Sequence, residues 1–458
     1  MRDLHLAGAR VVVVGGGRSG VAATRLLLAQ GASVTLTDTR AALPDEPRLR
    51  EAGVTLALGG HPAELFAAAD LVVTSPGVPW DLPVLEGARQ SGVKVVGEIE
   101  LAWRCLEGRV IAVTGTKGKS TTTTLVGRML AEEGLKAVAG GNLGLPLSAQ
   151  VAESAADAIH VVEVSSFQLE ATDTFRPWIA VLLNVSPDHL DRHASLDEYA
   201  RAKQRVFANQ QDRDWVVVNA DDPPALALAR GSRARVRLFA LDTPLDDGIV
   251  ASGGWIADRS PAGEALLIPL DSIRLLGRHL VGDVLAAAAA ARLAGASPEA
   301  MTRAVASFAG LEHTLEPVAE IDGVRFVNDT KATNIEAARR SIESFARGVV
   351  PIMGGRYKGG DFRDLRALVA DRVTAVVAIG EARELVKAAL GDLVPVHEAL
   401  SMHDAVLAAK RAAPAGGTVV LAPACSSFDM FTDYAERGRA FKEEVRRLAA
   451  GEPRGREP

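Results

Sequence analysis

The segment AVTGTKGKSTTTTLVGRML, residues 112–130, constrains the fold of this chain more than any other. A β-branched run ends at Thr114, a short glycine- and lysine-containing turn follows, and a helical pattern begins. Glycines let the N–H groups of such a turn converge on phosphate oxygens, and the helix N-terminus adds a favourable dipole. Lys119 can then reach the terminal phosphates while the Ser120 hydroxyl holds Mg²⁺. The segment predicts a strand–loop–helix unit that binds ATP.

The spacing of this phosphate loop is a shortened one. The usual pattern G-x-x-x-x-G-K-[ST] has a glycine where Val113 stands here, so the sequence follows T-G-T-x-G-K-[ST]-[ST] instead. The ATP-binding residues predicted from the loop are Gly115, Thr116, Lys117, Gly118, Lys119, Ser120 and Thr121.

Elsewhere short β-branched runs alternate with alanine- and leucine-rich helical patterns, which is typical of α/β folds with parallel sheets. A chain of 458 residues is too long for one core, so we predict three domains. Residues 1–97 and 311–458 are predicted to form Rossmann-like N- and C-terminal domains. Residues 98–310 are predicted to form a central P-loop domain, with a parallel sheet and a small antiparallel sheet over residues 238–275.

Composition excludes several classes of protein. The net charge of −6 argues against broad binding to nucleic acid or to an anionic membrane. No run of about 18 apolar residues occurs, so no membrane span is expected. The two cysteines, Cys105 and Cys425, cannot form a disulfide framework and fit a reducing compartment. We expect a cytoplasmic protein.

A second glycine turn lies in RVVVVGGGRSGVAATRLL, residues 10–27. Gly15, Gly17 and Gly20 fit the G-x-G-x-x-G pattern of pyrophosphate-binding turns, and Asp38 ends the next apolar run. An NAD-dependent oxidoreductase built on residues 1–97 is therefore one alternative. This alternative assigns no function to the phosphate loop or to the third domain.

Two segments after the phosphate loop carry candidate metal ligands. HVVEVSSFQLE places Glu163 inside an apolar run, where a carboxylate is costly unless it faces a metal or hydrogen-bond donors. VLLNVSPDHLDRH places His189 after another apolar run, beside Asp188 and Asp191. Both segments follow predicted strands, so they predict metal ligands near the ATP phosphates. Lys203, in YARAKQRVF, has nothing local that distinguishes it from an exposed lysine.

The shortened loop, EVSSFQL, SPDHLDRH, NDTKATN and GGRYKGGD occur in the order and with roughly the spacing seen in the Mur ligase family. The chain resembles that family over nearly its whole length. The resemblance implies an ADP-forming, ATP-dependent carboxylate–amine ligase of cytoplasmic peptidoglycan precursor synthesis, acting as a monomer. It implies that ATP phosphorylates a substrate carboxyl and that an amine attacks the acyl phosphate.

The substrates implied within the family are UDP-N-acetylmuramoyl-L-alanine and D-glutamate. The glycine turn of Rossmann type in the first domain and the segment APACSSFDMFTDYAERG favour them. Other members, such as the muramate:L-alanine ligase, and a folylpolyglutamate synthase-like ligase stay open as alternatives.

The resemblance also implies roles for single residues. Catalytic roles fall on Lys119, His189, Lys203, His313 and Lys331. Two Mg²⁺ sites are implied, with ligands Ser120, Glu163, His189 and Lys203, the last as a carbamate. Asp283 and Asp329 join the ATP-binding set. The UDP-sugar contacts are Arg18, Ser19, Asp38, Thr39, Arg40, Ser75, Pro76, Gly77, Asn142 and Ser165. The D-glutamate contacts are Thr333, Lys358, Ser427 and Phe428.

Three of the positions that depart from the family's pattern bear on nucleotide binding. GRHLVGDVLAAA has Leu280 and Asp283 where the adenine-side motif has asparagines; aspartate can accept from the adenine amino group, whereas leucine can only pack. Thr314 stands where the linker to the third domain usually has an arginine. These departures leave a non-catalytic nucleotide-binding regulator as a further alternative.

Overall fold

The computed structural model describes residues 4–188, 192–193 and 195–451. These residues pack as two units: the first unit comprises residues 1–273 and 282–307, and the second comprises residues 274–281 and 308–458, in each case as far as they are described. Three sheets alternate with helices along the chain, which confirms the predicted α/β class. None of the helices in the described ranges has the length and apolar character needed to cross a bilayer.

The first unit begins with a five-stranded parallel sheet. Its elements are β1 (Arg10–Val14), α1 (Arg18–Ala29), β2 (Ser33–Asp38), α2 (Glu46–Glu51), β3 (Thr55–Leu58), α3 (Ala63–Ala67), β4 (Leu71–Thr74), α4 (Pro83–Gln90), β5 (Lys94–Gly97) and α5 (Glu98–Cys105). The strand order is β3-β2-β1-β4-β5. The valines of β1 are buried on both faces of the sheet because helices cover both sides. This is the predicted Rossmann-like architecture.

A nine-stranded mixed sheet makes up the rest of the first unit. Its elements are β6 (Arg109–Thr114), α6 (Lys119–Glu132), β7 (Ala137–Gly141), α7 (Leu147–Gln150), β8 (Ile159–Glu163), α8 (Ser166–Glu170), β9 (Ile179–Leu182), α9 (Leu196–Gln204), β10 (Trp215–Asn219), α10 (Pro223–Ala229), β11 (Arg235–Ala240), β12 (Gly248–Ser252), β13 (Trp255–Ser260), β14 (Gly263–Pro269), α11 (Arg278–Leu293) and α12 (Pro298–Ala306). One of the three chain boundaries between the two units falls within α11.

The order in this sheet is β14-β13-β12-β11-β10-β9-β6-β8-β7. Strands β6 to β12 pair in parallel, and β12, β13 and β14 pair antiparallel. The antiparallel strands predicted over residues 238–275 are therefore present, and they extend the parallel sheet instead of forming a separate one. Short 3-10 turns occur at Val151–Glu153, Arg205–Phe207, Leu270–Ser272 and Phe362–Leu365.

The second unit contains a six-stranded sheet. Its elements are β15 (Glu316–Ile321), β16 (Val324–Asn328), α13 (Ile335–Glu343), β17 (Val349–Gly354), α14 (Arg366–Arg372), β18 (Val376–Ile379), α15 (Arg383–Leu390), β19 (Val396–Glu398), α16 (Met402–Ala412), β20 (Thr418–Leu421) and α17 (Tyr434–Ala450). The order is β15-β16-β20-β17-β18-β19, parallel except for the β15–β16 pair. Apolar cores cover both faces.

The order of the strands decides which loops meet. Strands β6, β8 and β9 are neighbours and run parallel, so the segments that follow them emerge at one edge of the nine-stranded sheet. Strands β16, β20 and β17 do the same in the second unit. Each sheet lies within one of the three domain ranges predicted from the sequence, and the boundaries themselves remain predictions.

Candidate active site

The phosphate loop connects β6 to α6, as the sequence predicts. Gly118 has a φ of +86°, a left-handed conformation that favours glycine. A Cβ at Gly118 would lie 2.1 Å from Asp283 Oδ1, so no larger residue fits without moving that carboxylate. Asp283, which was predicted to contact ATP, is buried directly against the loop. Thr121 is buried in the first turn of α6.

Asn184 holds the backbone of this loop in place. Its Oδ1 accepts from the N–H groups of Thr116 and Lys117 at 3.0 and 2.9 Å, and its Nδ2 donates to the Lys117 carbonyl at 3.1 Å. Sequence reasoning missed this residue. The available signal was a polar side chain just after the buried strand β9, at the same sheet edge as the loop.

A buried carboxylate faces the start of α6. Ser120 Oγ donates to Glu163 Oε2 at 2.7 Å, and Asn142 Nδ2 donates to Glu163 Oε1 at 3.0 Å. Glu163 is only 4% exposed at the end of β8. Three residues predicted for metal and substrate binding thus form one hydrogen-bonded group. The group offers hydroxyl, carboxylate and amide oxygens, which suit Mg²⁺.

Two loop lysines line the same sheet edge. Lys119 Nζ donates to the carbonyls of Gly115 and Thr116 at 3.1 and 3.0 Å. Lys117 Nζ pairs with Asp188 at 3.1 Å. Two cationic side chains therefore lie at the phosphate loop, and cations of this kind suit the binding of a polyphosphate.

Lys203 is buried against this loop, with 1% of its surface exposed. Its Nζ donates to the Gly115 carbonyl at 2.7 Å and lies 4.3 Å from the centroid of the Tyr199 ring. Burial, followed by the charge of Lys119, lowers the pKa of Lys203 well below its ordinary value, although Asp188 acts in the opposite direction. The amine is thus driven toward its neutral, nucleophilic form. An exposed lysine, which the local sequence favours, would not behave in this way.

His189 lies outside the described residues, so its predicted roles as catalytic residue and metal ligand stay predictions. Ser165 lies at the N-cap of α8, where its Oγ accepts from the N–H of Gln168 at 3.3 Å. Its side chain thus serves helix capping in this structure.

The first glycine turn opens onto a cavity of about 600 Å³. Most of the residues predicted to contact the UDP-sugar line it, namely Arg18, Ser19, Asp38, Thr39, Ser75, Pro76, Gly77 and Asn142. Arg40 does not line this cavity. Its guanidinium instead forms a bidentate pair with Asp38, with Nε–Oδ1 and Nη2–Oδ2 distances of 2.9 and 2.8 Å.

The carboxylate of Asp38 is fully engaged by the protein. Gly16 N donates to Oδ2 at 2.7 Å, and the hydrogen bonds from Arg40 hold the pKa of the carboxyl well below its usual range. An acid that selects NAD must offer its oxygens to a ribose hydroxyl. Asp38 instead stabilises the first glycine turn through its hydrogen bond from Gly16. Gly20 is required there because a Cβ would lie 1.8 Å from the Gly15 carbonyl oxygen.

In the second unit, the loop after β16 meets the segment before β15. Leu315 N donates to Asp329 Oδ1 at 3.2 Å, and Lys331 N donates to the His313 carbonyl at 3.3 Å. His313 has a left-handed φ of +70°, and burial lowers the pKa of its imidazole. The structure thus brings together three residues predicted for ATP binding and catalysis, His313, Asp329 and Lys331.

The loops after β17 and β20 carry the residues predicted to hold the incoming amino acid. Arg356 and Ser426 exchange backbone hydrogen bonds of 3.0 and 3.1 Å, which places Lys358 and Ser427 on joined segments. Ser427 is buried, whereas Phe428 is 59% exposed and Lys358 is exposed. Thr333, half-buried, lies on the neighbouring loop after β16.

Family comparisons cover each of the three sheets. The model of the Mur ligase MurD-like N-terminal domain matches residues 9–97, that of the Mur ligase middle domain matches residues 113–291, and that of the Mur ligase glutamate ligase domain matches residues 315–425. The chain belongs to the Mur ligase family. The resemblance inferred from the sequence motifs is confirmed, and the alternative of an NAD-dependent oxidoreductase loses its support.

This Mur ligase has curated relatives that match it over nearly its full length. A UDP-N-acetylmuramoylalanine--D-glutamate ligase from Acidobacterium capsulatum is 46% identical over 447 residues, covering 96% of the chain and 97% of the relative. Ligases of the same name from Koribacter versatilis and Pelotomaculum thermopropionicum are 42% and 43% identical, covering 98% and 96% of the chain and 100% and 98% of the relatives.

Solved structures support the fold alone. A pseudomurein peptide ligase type C from Methanothermus fervidus superposes with a TM-score of 0.62 at 17% identity, covering 96% of this Mur ligase and 100% of that chain. UDP-N-acetylmuramate-alanine ligase from Thermotoga maritima gives 0.60 at 18% identity, with coverage of 96% and 100%.

The departures from the family's pattern differ in their surroundings. Leu280 is 4% exposed and packs in the apolar core of the second unit with residues such as Leu315. Asp283 lies against Gly118 of the phosphate loop, in the first unit. Thr314 is half-buried in the linker that precedes β15.

Proposed function

We propose that this Mur ligase joins D-glutamate to UDP-N-acetylmuramoyl-L-alanine, converting ATP to ADP and phosphate. The observation that carries the proposal is the identity of 40–46% over nearly the whole chain to relatives named for that ligation. The phosphate loop, the cavity at the first glycine turn and the joined loops of the second unit support it, because each suits one of the three substrates.

The residues around Ser120 fit a Mg²⁺ ion. A hydroxyl and a carboxylate oxygen 2.7 Å apart, beside a phosphate-binding loop, form the hard-oxygen donor set that this metal prefers. We propose that Ser120 and Glu163 hold a Mg²⁺ whose chemistry is to neutralise phosphate charge. The proposed second ion depends on His189 and Lys203.

We propose that Lys203 is carbamylated in the active enzyme. Carbamylation needs an uncharged amine to attack carbon dioxide, and burial beside Lys119 favours that form. The product carries anionic oxygens where the structure now has an amine against the phosphate loop, which suits a metal ligand.

In the proposed reaction, the phosphate loop orients ATP so that its terminal phosphoryl group passes to the substrate carboxylate. Lys119 and the loop N–H groups stabilise the negative charge that develops there. Asn142 donates a hydrogen bond to one carboxylate oxygen of Glu163, and Ser120 donates to the other. The amine of D-glutamate then attacks the acyl phosphate, phosphate leaves, and the amide forms.

We propose that the loops of the second unit select the incoming amino acid. Lys358 supplies a cation for an acidic side chain, and Thr333, Ser427 and Phe428 lie on the same or adjoining loops. Lys331 is proposed to act near the phosphates and the incoming amine, with Asp329 on the ATP ribose. We also propose that the enzyme works in the cytoplasm, since its substrates are ATP and a nucleotide-linked sugar, and that it acts as a monomer.

The test is a reconstituted assay. The purified chain is mixed with ATP, Mg²⁺, UDP-N-acetylmuramoyl-L-alanine and one amino acid, phosphate release is followed, and the product is identified by mass spectrometry. We expect release only with D-glutamate and only when the UDP-sugar is present. Release without the UDP-sugar, or with L-alanine in place of D-glutamate, would reject the proposal.

A further inference from the structure

Arg437, in the first turn of α17, is among the largest fully buried side chains of the described residues, with 1% of its surface exposed. Its Nε donates to Thr330 Oγ1 at 2.9 Å, its Nη2 donates to the Thr330 carbonyl at 3.0 Å, and its Nη1 donates to the Cys425 carbonyl at 3.2 Å. One guanidinium therefore connects two separate loops through neutral oxygens.

The two loops are those that carry the proposed amino-acid site. Thr330 lies between Asp329 and Lys331 on the loop after β16, and Cys425 lies two residues before Ser427 on the loop after β20. A third loop packs against the same group, because a Cβ at Gly355 would lie 3.2 Å from Arg437 Nη1. That loop leads from β17 toward Lys358.

The next residue of the helix extends this contact. A Cβ at Gly438 would lie 2.4 Å from His313 Nδ1 and 2.7 Å from Thr330 Cγ2. The helix must therefore have glycine at this position for His313 and Thr330 to pack as they do. Arg437 and Gly438 thus contact both the loop after β16 and the segment before β15.

Burying this guanidinium has an energetic cost. Desolvation lowers the pKa of Arg437 to about 10, so the group stays charged at neutral pH without solvent around it. An apolar side chain of similar volume would avoid that cost. An apolar side chain cannot donate hydrogen bonds, whereas the planar guanidinium of arginine donates to several oxygens at fixed relative positions.

We propose that Arg437 is a positioning residue for D-glutamate binding, which sets the spacing between the loop carrying Lys331 and Thr333 and the loop carrying Ser427 and Phe428. It touches no substrate and acts through Thr330 and Cys425. This inference rests on the proposed function. The residues predicted to contact the UDP-sugar lie in the first unit, so we expect a change in this spacing to leave the affinity for that substrate unchanged.

The test compares Arg437→Met and Arg437→Lys with a matched control, Arg372→Met, in the full-length enzyme. Arg372 Nη1 also donates to two backbone carbonyls, those of Glu343 and Phe345, both at 2.8 Å, but it lies at the end of α14 away from the three loops. Initial rates give kcat and a separate KM for each substrate, and circular dichroism confirms the fold.

We expect Arg437→Met to raise the KM for D-glutamate about tenfold or more while the KM for the UDP-sugar changes less than about twofold. Arg372→Met should change neither. Lysine keeps the charge, but all its N–H donors lie on one nitrogen and cannot span the two loops as a guanidinium does. Arg437→Lys should therefore still raise the KM for D-glutamate at least about fivefold.

Three results would overturn the proposal: a KM for D-glutamate in Arg437→Met equal to that of the control, a uniform rise in every KM, or full rescue by lysine. If Arg437→Met does not fold, Thr330→Val and Thr330→Ser decide the question. Only serine keeps the hydroxyl that accepts from Nε, so only valine should raise the KM for D-glutamate. An unsubstituted enzyme that fails to consume ATP with the two substrates would overturn the proposed function as well.

Discussion

The hydroxyl of Ser120 donates a hydrogen bond of 2.7 Å to Oε2 of Glu163, across 43 residues of sequence. Ser120 is the second residue of α6 and Glu163 ends β8, so the neighbouring strands β6 and β8 bring the two together. Asn142 holds the other carboxylate oxygen at 3.0 Å. The protein's own hydrogen bonds thus fix the geometry of the pair, which is the preorganisation that phosphoryl transfer requires.

Replacing Glu163 with glutamine tests this pair. Glu163→Gln keeps the shape of the side chain but removes its charge, so we expect phosphate release to fall about 100-fold or more and the Mg²⁺ concentration for half-maximal rate to rise. Phosphate release during Mg²⁺ titration is the measurement. Glu153→Gln, at an exposed position, is the control. An unchanged Mg²⁺ dependence in Glu163→Gln would argue against metal binding at this carboxylate.

Lys203 should show opposite effects on activity and stability. Lys203→Met removes a buried amine whose pKa is lowered by burial and by Lys119, so the free energy of unfolding in bicarbonate-free buffer should stay equal or rise by roughly 1 kcal/mol. Activity should fall about 100-fold, and added bicarbonate should not restore it. Thermal unfolding and phosphate release measure the two effects.

The control for this variant is Lys136→Met, because Lys136 is 70% exposed and paired with Asp157. It should leave activity unchanged. Unchanged turnover in Lys203→Met would remove the carbamate from the mechanism.

The sequence predicts those parts of the site that depend on local pattern. The phosphate loop needs only a strand, glycines and a helix start in succession, and Glu163 is visible as a carboxylate within an apolar run. The meeting of Ser120 with Glu163 follows from the tendency of parallel strands to end at one sheet edge. These features are encoded within about 20 residues of chain or follow from a general rule of topology.

Other features depend on contacts between distant segments. The bonds from Asn184 to the phosphate loop and the burial of Lys203 need the positions of β9 and α9, which the local pattern does not give. Arg437 has no local signal at all, since its partners lie 107 and 12 residues away.

ATP binding should depend on glycine at position 118 of the phosphate loop. Gly118→Ala adds a Cβ 2.1 Å from Asp283 Oδ1 to a backbone with φ of +86°, so we expect ATP affinity to fall about tenfold or more. Gly134→Ala is the matched control, because Gly134 has a φ of +83° and the Cβ that alanine adds there meets no atom within 4 Å. Isothermal titration with a non-hydrolysable ATP analogue separates the two. Equal affinity in both variants would show that the close approach has no effect on binding.

The cavity at the first glycine turn should prefer UDP to NAD. Asp38 is occupied by Arg40 and Gly16, so it cannot select a nicotinamide-linked ribose, and we expect UDP but not NAD to raise the melting temperature. Arg18→Gln should weaken the UDP effect, because Arg18 lines this cavity. Arg25→Gln is the control, since Arg25 does not line this cavity and pairs with Asp45. Equal stabilisation by NAD would contradict the assignment.

His160, buried at 1% exposure on β8, should make the first unit sensitive to acid. Its imidazole lies 2.9 Å from Gln150 Oε1 and 2.9 Å from Ser154 Oγ, and burial lowers its pKa. The unfolded chain, with an ordinary histidine pKa of about 6.5, binds a proton that the folded state resists. The stability from this group is therefore present above about pH 6.5 and is lost as the pH falls below that value, by up to about 1.4 kcal/mol per unit.

We expect His160→Gln, whose amide can still hydrogen bond to Gln150, to lose less stability than the unsubstituted chain between about pH 7.5 and about pH 5, by roughly 0.5–2 kcal/mol. All 5 tryptophans fall in residues 80–255, so urea unfolding followed by tryptophan fluorescence reports on the first unit. His397→Gln, at an exposed position of the second unit, should leave the pH dependence unchanged. Parallel pH profiles for His160→Gln and the unsubstituted chain would show that His160 does not govern this loss, because the folded state would then accept the proton as readily as the unfolded one.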